Sequence, residues 1–157
     1  MAVYINRLNG GDITIGSSGG VTPVPKPSTT TRVWYGDNEN VYTDYEIVGT
    51  IINEFSEDEG TSIPNSESLK KIEIGNTVTN IGDEAFNGCY SLTSVTIPDS
   101  VNSIGFRAFA ECGKLITVTI IANGGNAQNV KNMIIEAIAD EWEGTDIASH
   151  ITWNMPS

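Results

Sequence analysis

The sequence predicts an α/β fold in which a short solenoid of stacked repeats carries a parallel sheet on one face. A 23-residue unit occurs twice, at 69–91 and at 92–114, and its shared positions are apolar or glycine. Variable polar residues lie between them, as expected when repeated residues pack on their copies one layer away. The flanks lack the repeat, which predicts a β-hairpin N-terminal cap at 32–68, a helix–strand C-terminal cap at 115–157 and an extended N-terminal tail at 1–31.

The repeat core follows from aligning the two copies. Eight positions are identical, and Ile72 with Val95 is a near match. Polar and apolar residues alternate at 71–75 and at 94–98, which predicts a short strand with one buried face in each copy. The predicted core residues are Leu69, Ile72, Ile74, Val78, Ile81, Ala85, Phe86 and Cys89 in the first copy, and Leu92, Val95, Ile97, Val101, Ile104, Ala108, Phe109 and Cys112 in the second.

The second half of each unit is predicted to turn and close its layer. Gly82 and Gly105 permit a backbone conformation or a close approach that a side chain would block. Residues 83–86 predict a short helical turn. Cys89 and Cys112 fill the same core slot of successive layers, so we expect two reduced, buried thiols rather than a redox or zinc pair.

These residues resemble the BspA-like (Treponema pallidum type) leucine-rich repeat, whose pattern is roughly L-x-x-I-x-I-P-x-x-V-x-x-I-G-x-x-A-F-x-x-C. The 23-residue period also lies in the range of leucine-rich repeats. The resemblance implies a small right-handed solenoid with a parallel sheet on one face, in a surface or secreted protein of adhesive type. The order of Trp34-Tyr35, a turn, strands and then the repeat also resembles the entry region of BspA-like proteins of gut bacteria and their phages.

Residues 32–68 are expected to form a hairpin that covers the first end of the solenoid. Moving the repeat frame back by one unit places Gly49 and Asp58 at apolar positions, so no third repeat is predicted there. The predicted strands are 32–35 and 45–55, with 61–63 closing the hairpin. The candidates for its buried side chains are Trp34, Tyr35, Ile51 and Phe55.

Residues 115–157 are expected to cover the other end. The repeat frame continues through a third strand and then fails at Gly124. Asn126 is a predicted N-cap, and apolar residues at helical spacing predict a helix of roughly four turns that Gly144 ends. A last strand is predicted at 147–154. The residues behind these predictions are Leu115, Val118 and Ile120 in the strand, Val130, Met133, Ile134, Ala137, Ile138 and Trp142 in the helix, and Trp153 on the core.

Residues 1–31 contain two short apolar segments followed by Gly/Ser-rich and Pro-rich sequence. Such a segment buries too little apolar surface to fold alone, and its Pro-rich part predicts an extended spacer. Two interpretations remain open: a disordered tail, or a tethered docking peptide that adds strands to a partner. The candidate docking residues are Tyr4, Ile5, Ile13 and Ile15.

The sequence contains few residues in patterns typical of catalysis or metal binding. His150 is the only histidine, and no metalloprotease, phosphate-binding-loop or nucleophile-elbow motif is present. Residues 37–39 could hold calcium, but they lack the spaced ligands of a calcium loop, so a plain turn is expected. Residues 57–59 are expected to be a solvated turn, with contact to a basic partner as the alternative. We therefore predict no catalytic residue, metal or cofactor, and no enzymatic activity.

The net charge and the hydropathy of the sequence limit the classes of partner that the protein can bind. The net charge of −12 argues against nucleic acid or an anionic membrane, because both require a positive surface. No run of apolar residues is long enough for a membrane span. The start of the sequence has no apolar stretch of signal-peptide length, so we expect a protein that stays in the cytoplasm or leaves the cell inside a particle.

The first functional hypothesis is a bacteriophage virion structural protein: a head fibre, a capsid decoration or a tail component for host attachment. The N-terminal segment would dock on other virion proteins, and the repeat domain at 32–157 would project outward to contact a host cell-surface protein or glycan. The alternatives are a BspA-like adhesion module of the bacterial cell surface and an intracellular protein–protein adaptor. A homo-oligomer is compatible with each of them.

Overall fold

The described residues of the structure, a computed structural model, form one mixed sheet, one parallel sheet and one α-helix. The structure describes residues 2–8, 12–18, 29–64, 66–121, 126–138 and 147–155. Predictions on Trp142, Gly124, Gly144 and the Pro-rich linker fall outside these residues. The strands are β1 (Ala2–Leu8), β2 (Asp12–Ser18), β3 (Thr31–Trp34), β4 (Val41–Tyr45), β5 (Gly49–Ile52), β6 (Thr61–Ser62), β7 (Lys71–Glu73), β8 (Val78–Ile81), β9 (Ser94–Pro98), β10 (Ser103–Ile104), β11 (Thr117–Ile121) and β12 (Thr152–Asn154), and the helix is α1 (Ala127–Ile138).

The first sheet carries the initial strand of each repeat. Its strand order is β12-β11-β9-β7-β3-β4-β1-β2. β7, β9 and β11 pair in parallel with no slip, so that Ile72, Val95 and Val118 lie side by side. The hydroxyl of Thr93 donates to the carbonyl oxygen of Lys70, 23 residues away. The α/β class is confirmed, and one repeat advances the chain by one strand of the sheet.

The second sheet is built from the later part of each unit, in the order β10-β8-β5-β6. β8 and β10 pair in parallel with Ile81 beside Ile104. Each repeat therefore contributes one strand to each sheet, and apolar residues from both sheets meet in the core between them.

The predicted N-terminal hairpin is present as the antiparallel pair β3–β4, but the rest of the predicted cap has a different topology. β5 pairs in parallel with β8, and β6 in parallel with β5, so residues 49–62 extend the second sheet instead of forming a hairpin. The amide of Asn80 donates to Thr50 across a separation of 30 residues, not 23. An alignment at the fixed repeat length cannot detect this extra half layer, because the spacing changes where the first sheet switches to the antiparallel strands β3 and β4.

Two of the four cap candidates are buried. Trp34 and Ile51 are buried, and Tyr35 is partly buried against the core. Phe55 is 86% exposed, which corrects the prediction that it covers the end of the core. It lies in the turn after β5, beyond the last residue that pairs with β8.

The helical turn predicted at 83–86 is a series of tight turns. The amide of Glu84 donates to the carbonyl oxygen of Phe106, and the amide of Phe86 to that of Ala108, at 2.9 and 2.8 Å. Neighbouring layers therefore bond to each other here, and Glu84, with a φ of 54°, has a left-handed conformation that a right-handed helical turn does not contain. Gly105 confirms the predicted close approach, because a Cβ atom there would lie 2.5 Å from the backbone nitrogen of Asp83.

The C-terminal cap is α1 followed by a short 3₁₀ helix, Ile147–His150, and β12. α1 has 12 described residues, about three turns, and the predicted end of this helix at Gly144 lies outside the described residues. The backbone amide of Phe109 donates to the carbonyl oxygen of Ala137, which joins the last repeat to α1. The final strand is shorter than predicted, since 147–150 are helical, and it pairs in parallel with β11. The helix residues Val130, Ile134, Ala137 and Ile138 are buried, and Met133 and Trp153 pack against the core partly buried.

The repeat core lies between the two sheets. Of the predicted repeat residues all are buried except Ile104, which is partly buried at the edge strand β10. Phe86 and Phe109 stack with ring centroids 5.2 Å apart and planes 14° from parallel. The same ring from successive layers therefore continues through the core as a ladder.

The N-terminal residues form an antiparallel pair, β1 with β2, and β1 pairs in parallel with β4. The predicted boundary at residue 31 falls inside the fold, because Thr31 is fully buried and starts β3. Thr29 is also held, since its carbonyl oxygen accepts a hydrogen bond from the Thr77 hydroxyl at 2.8 Å. None of the helices in the described residues has the length and apolar character needed to cross a membrane.

Candidate binding surfaces

The outer side of β9, β11 and β12 presents a continuous polar surface, which we call the hydroxyl face. Val95 and Val118 point into the core, so the residues on either side of them point outward. Strand pairing places these outward residues in register across the three strands. The hydroxyl face consists of Ser94, Thr96, Thr117, Thr119, Thr152 and Asn154.

The hydroxyl face carries hydrogen-bonding groups without a charge. Its side chains are partly or fully exposed, and the Asn154 amide donates to the Thr119 hydroxyl at 3.4 Å. On the β7 side the surface becomes charged, where Lys71 pairs with Glu73 at 3.2 Å and lies over the Trp34 ring. Sequence reasoning did not identify this face. The sequence does contain a signal for this face, because a hydroxyl residue stands on both sides of a valine in Ser94–Thr96 and again in Thr117–Thr119.

A buried ion pair lies between β3 and β4 and was also missed. Arg32 donates from Nε and Nη2 to the two carboxylate oxygens of Asp44, at 2.7 and 2.8 Å. The guanidinium also lies 3.6 Å from the centroid of the Tyr42 ring. Arg32 and Asp44 are only 2% and 1% exposed, so the pair is a structural element and not an open site.

The two cysteines are free and buried, as the repeat frame predicts. The Cys112 thiol donates to the carbonyl oxygen of Phe86 at 3.2 Å. Its hydrogen bond with the Cys89 thiol, followed by burial, raises the pKa of Cys112 well above the usual range of a cysteine. Since the thiolate is the reactive form, we expect Cys112 to react slowly at neutral pH.

Because both thiols are buried, we expect neither to react with iodoacetamide in the folded protein, and we expect Cys112 to stay unreactive even when the pH is raised through the ordinary cysteine pKa of about 8.5. Both should react after denaturation, which is the control, and intact-protein mass spectrometry counts the modified thiols. A folded protein that is two hydrogen atoms lighter than the reduced chain would show instead that Cys89 and Cys112 form a disulfide.

The other residues considered for catalysis, calcium binding or contact with a basic partner lie apart from one another. His150 is exposed on the 3₁₀ helix near the end of the chain. Asp37, in the turn considered for calcium, pairs with Lys70 at 2.9 Å. In the turn at 57–59, the Asp58 carboxylate accepts a hydrogen bond from Ser56. Within the described residues, no group of three or more His, Cys, Asp or Glu side chains could hold a metal ion.

The candidate docking residues lie on the two N-terminal strands. Tyr4 and Ile5 are on β1, Ile13 and Ile15 are on β2, and Ile5 is paired with Ile15. β1 is also paired with the chain's own β4. Strand addition, expected to a partner, therefore takes place within this chain. β2 is the end strand of the first sheet among the described residues, and its outer edge is where a further strand would add.

Comparison with known protein families gives a match to part of the chain. Neither a curated protein nor a solved structure matches the chain. Residues 61–134, which run from β6 through both repeats into α1, match the family model described as BspA type Leucine rich repeat region (6 copies). This match supports the assignment of the repeat part of the chain as a BspA-type leucine-rich repeat.

Proposed function

We propose that the protein is a non-enzymatic binding module that contacts a protein or a glycan through the hydroxyl face. The observation that carries this proposal is the alignment of six uncharged polar side chains across three paired strands. These hydroxyl and amide groups donate and accept hydrogen bonds but include no general base to activate them. Such a surface suits recognition better than catalysis. Its support from the family is the leucine-rich-repeat match, since repeat proteins bind along extended surfaces.

We propose more specifically that the protein is a structural component of a bacteriophage virion. In this role the binding module is displayed as a right-handed solenoid. The support is the order of segments along the chain: two N-terminal strands that extend the first sheet, a Gly/Ser/Pro-rich linker, and the repeat domain. A virion protein would add a strand to the outer edge of β2, because main-chain hydrogen bonds at a sheet edge give affinity. The repeat domain would then be free to contact the host cell. A module of the bacterial surface and an intracellular adaptor are the alternatives.

The test is to assemble particles with variants of the chain and to measure two quantities, incorporation and adsorption to host cells. Deletion of 1–28 and the Ile13→Asp/Ile15→Asp variant should abolish incorporation, measured by immunoblot of purified particles. Thr14→Asp, on the same strand, is the matched control and should be incorporated. Thr119→Arg, at the centre of the hydroxyl face, should be incorporated normally but should reduce adsorption about tenfold or more, as expected when a central contact is lost.

The controls separate the two parts of this proposal. Asn102→Arg adds the same charge at an exposed position outside the hydroxyl face and should leave adsorption unchanged. If the chain that lacks residues 1–28 were incorporated normally, the repeat domain itself would be the part that binds the particle. Absence of the full chain from particles would exclude the virion location, and equal adsorption of Thr119→Arg and the unaltered chain would exclude the hydroxyl face.

A further inference from the structure

A second surface, which shares no residue with the hydroxyl face, is a groove of about 370 Å³ at the turns that follow strands of the second sheet. We call it the aromatic–acidic groove. Three successive layers supply its walls: the turn after β5, the turn after β8 and the turn after β10. The lining includes Asn53, Phe55, Asp58, Asp83, Glu84 and Phe106.

Two phenylalanines in the groove are exposed to solvent. Phe55 is 86% and Phe106 is 62% exposed, although phenylalanine is usually buried. Phe106 occupies the position in the second repeat that Asp83 occupies in the first, one of the variable positions between the core residues. The core therefore does not require an aromatic ring there, and the exposed ring is available for a ligand.

The groove carries negative charge without a matching positive charge. Asp58, Asp83 and Glu84 form no ion pair with any residue in the described part of the chain. Arg107, which follows Phe106, is paired with Glu111 at 3.8 Å. The net charge of the whole chain, −12, adds to the attraction for a cation.

The backbone of the groove is held in place by hydrogen bonds between layers. The Asn53 amide donates to the carbonyl oxygen of Glu84 at 2.7 Å, and the backbone amide of Phe106 donates to the Asp83 carboxylate at 2.8 Å. The first bond joins the layer of β5 to that of β8, and the second joins the layer of β8 to that of β10. The groove is thus preorganised, which lowers the cost of ordering it on binding.

We propose that the aromatic–acidic groove binds an arginine-bearing, basic segment of a partner protein. Aromatic faces beside carboxylates favour a guanidinium, because it stacks on a ring and donates paired hydrogen bonds to a carboxylate at the same time. A metal ion is a poorer match, since these carboxylates form no metal-binding group. This site is separate from the hydroxyl face and does not depend on the virion location.

The test uses the purified full chain and a fluorescein-labelled, amidated Gly/Ser peptide that contains two arginines, with binding followed by fluorescence anisotropy. Phe55→Leu and Phe106→Leu keep apolar area but remove the ring, and each should weaken binding about two- to fivefold. The triple variant Asp58→Asn/Asp83→Asn/Glu84→Gln should weaken it about tenfold or more. Asparagine at position 83 keeps an oxygen that accepts from the Phe106 amide. A peptide with citrulline in place of arginine should bind as weakly as the triple variant binds the arginine peptide.

Non-specific attraction to an acidic protein is the main competing explanation. The control variant Glu39→Gln/Glu67→Gln/Glu136→Gln removes the same charge at exposed positions outside the groove and should reduce binding far less. Equal losses in the two triple variants, or full binding by either leucine variant, would overturn the proposal. Sedimentation without peptide completes the test: self-association that Phe106→Leu abolishes, without peptide binding, would assign the groove to a second copy of the chain instead.

Discussion

Phe86→Ala and Phe109→Ala should each lower the free energy of unfolding by about 3–5 kcal/mol, the cost of truncating a large core residue. Both rings are 1% exposed and stack at 5.2 Å, so neither cavity can fill with water or collapse without moving the next layer. A small domain has about 5–15 kcal/mol of stability in total, so each variant should be largely unfolded or much less stable than the unaltered protein. Urea denaturation followed by circular dichroism measures the effect.

A matched control is Phe106→Ala, which removes the same ring from an exposed position three residues before Phe109. Its cost should be within about 0.5 kcal/mol of zero. The double variant of Phe86 and Phe109 should show coupling of about 0.5–1.5 kcal/mol, the extra worth of a stacked aromatic pair. An unchanged unfolding midpoint for either core variant would remove that ring from the core.

Asp44→Ala should destabilise the protein by about 3–5 kcal/mol, because it leaves the buried Arg32 guanidinium without its partner. Arg32 donates two hydrogen bonds to Asp44, and both side chains are almost fully buried. The penalty therefore comes from an uncompensated buried charge more than from the attraction that is lost. The same denaturation measurement gives the size of the effect.

The explanation is checked by removing both charges together. The double variant Arg32→Met/Asp44→Leu should recover most of the stability, since apolar replacements of a buried ion pair are often neutral. Asp37→Ala is the exposed control: Asp37 is 90% exposed in its pair with Lys70, and its loss should cost about 0–1 kcal/mol. A double variant as unstable as Asp44→Ala would mean that the shape of these side chains, and not their charge, is what β3 and β4 require.

Much of the repeat domain could be predicted from local pattern. The alternation of polar and apolar residues around Ile72 and Val95 predicts strands with one buried face, and the recurrence of Phe86 as Phe109 predicts a stacked ladder. These predictions succeed because a repeat contacts mainly its neighbours, so sequence period and spatial neighbourhood coincide. The same logic places Cys89 and Cys112 in equivalent slots.

The N-terminal cap and the two candidate surfaces could not be predicted in the same way. β5 and β8 are neighbours in the second sheet at a separation of 30 residues, and an alignment at the 23-residue repeat length does not find this pairing. The ion pair of Arg32 with Asp44 depends on two antiparallel strands meeting, and either residue alone resembles an ordinary surface charge. The groove likewise brings together Phe55 and Phe106, which lie on layers far apart in the chain.

The sequence by itself determined which residues of the repeats are buried and that the chain advances by one layer every 23 residues, because that information is periodic and local. Only the tertiary structure decided what the variable residues do. Thr96 and Thr119 become neighbours through strand pairing, and Phe106 meets the acidic turn of the preceding layer through stacking. Core positions are constrained by burial, which leaves a pattern in the sequence. Surface positions gain their meaning from residues brought beside them by the fold, and among them only the hydroxyl face leaves a partial pattern, the recurrence of Ser94–Thr96 as Thr117–Thr119.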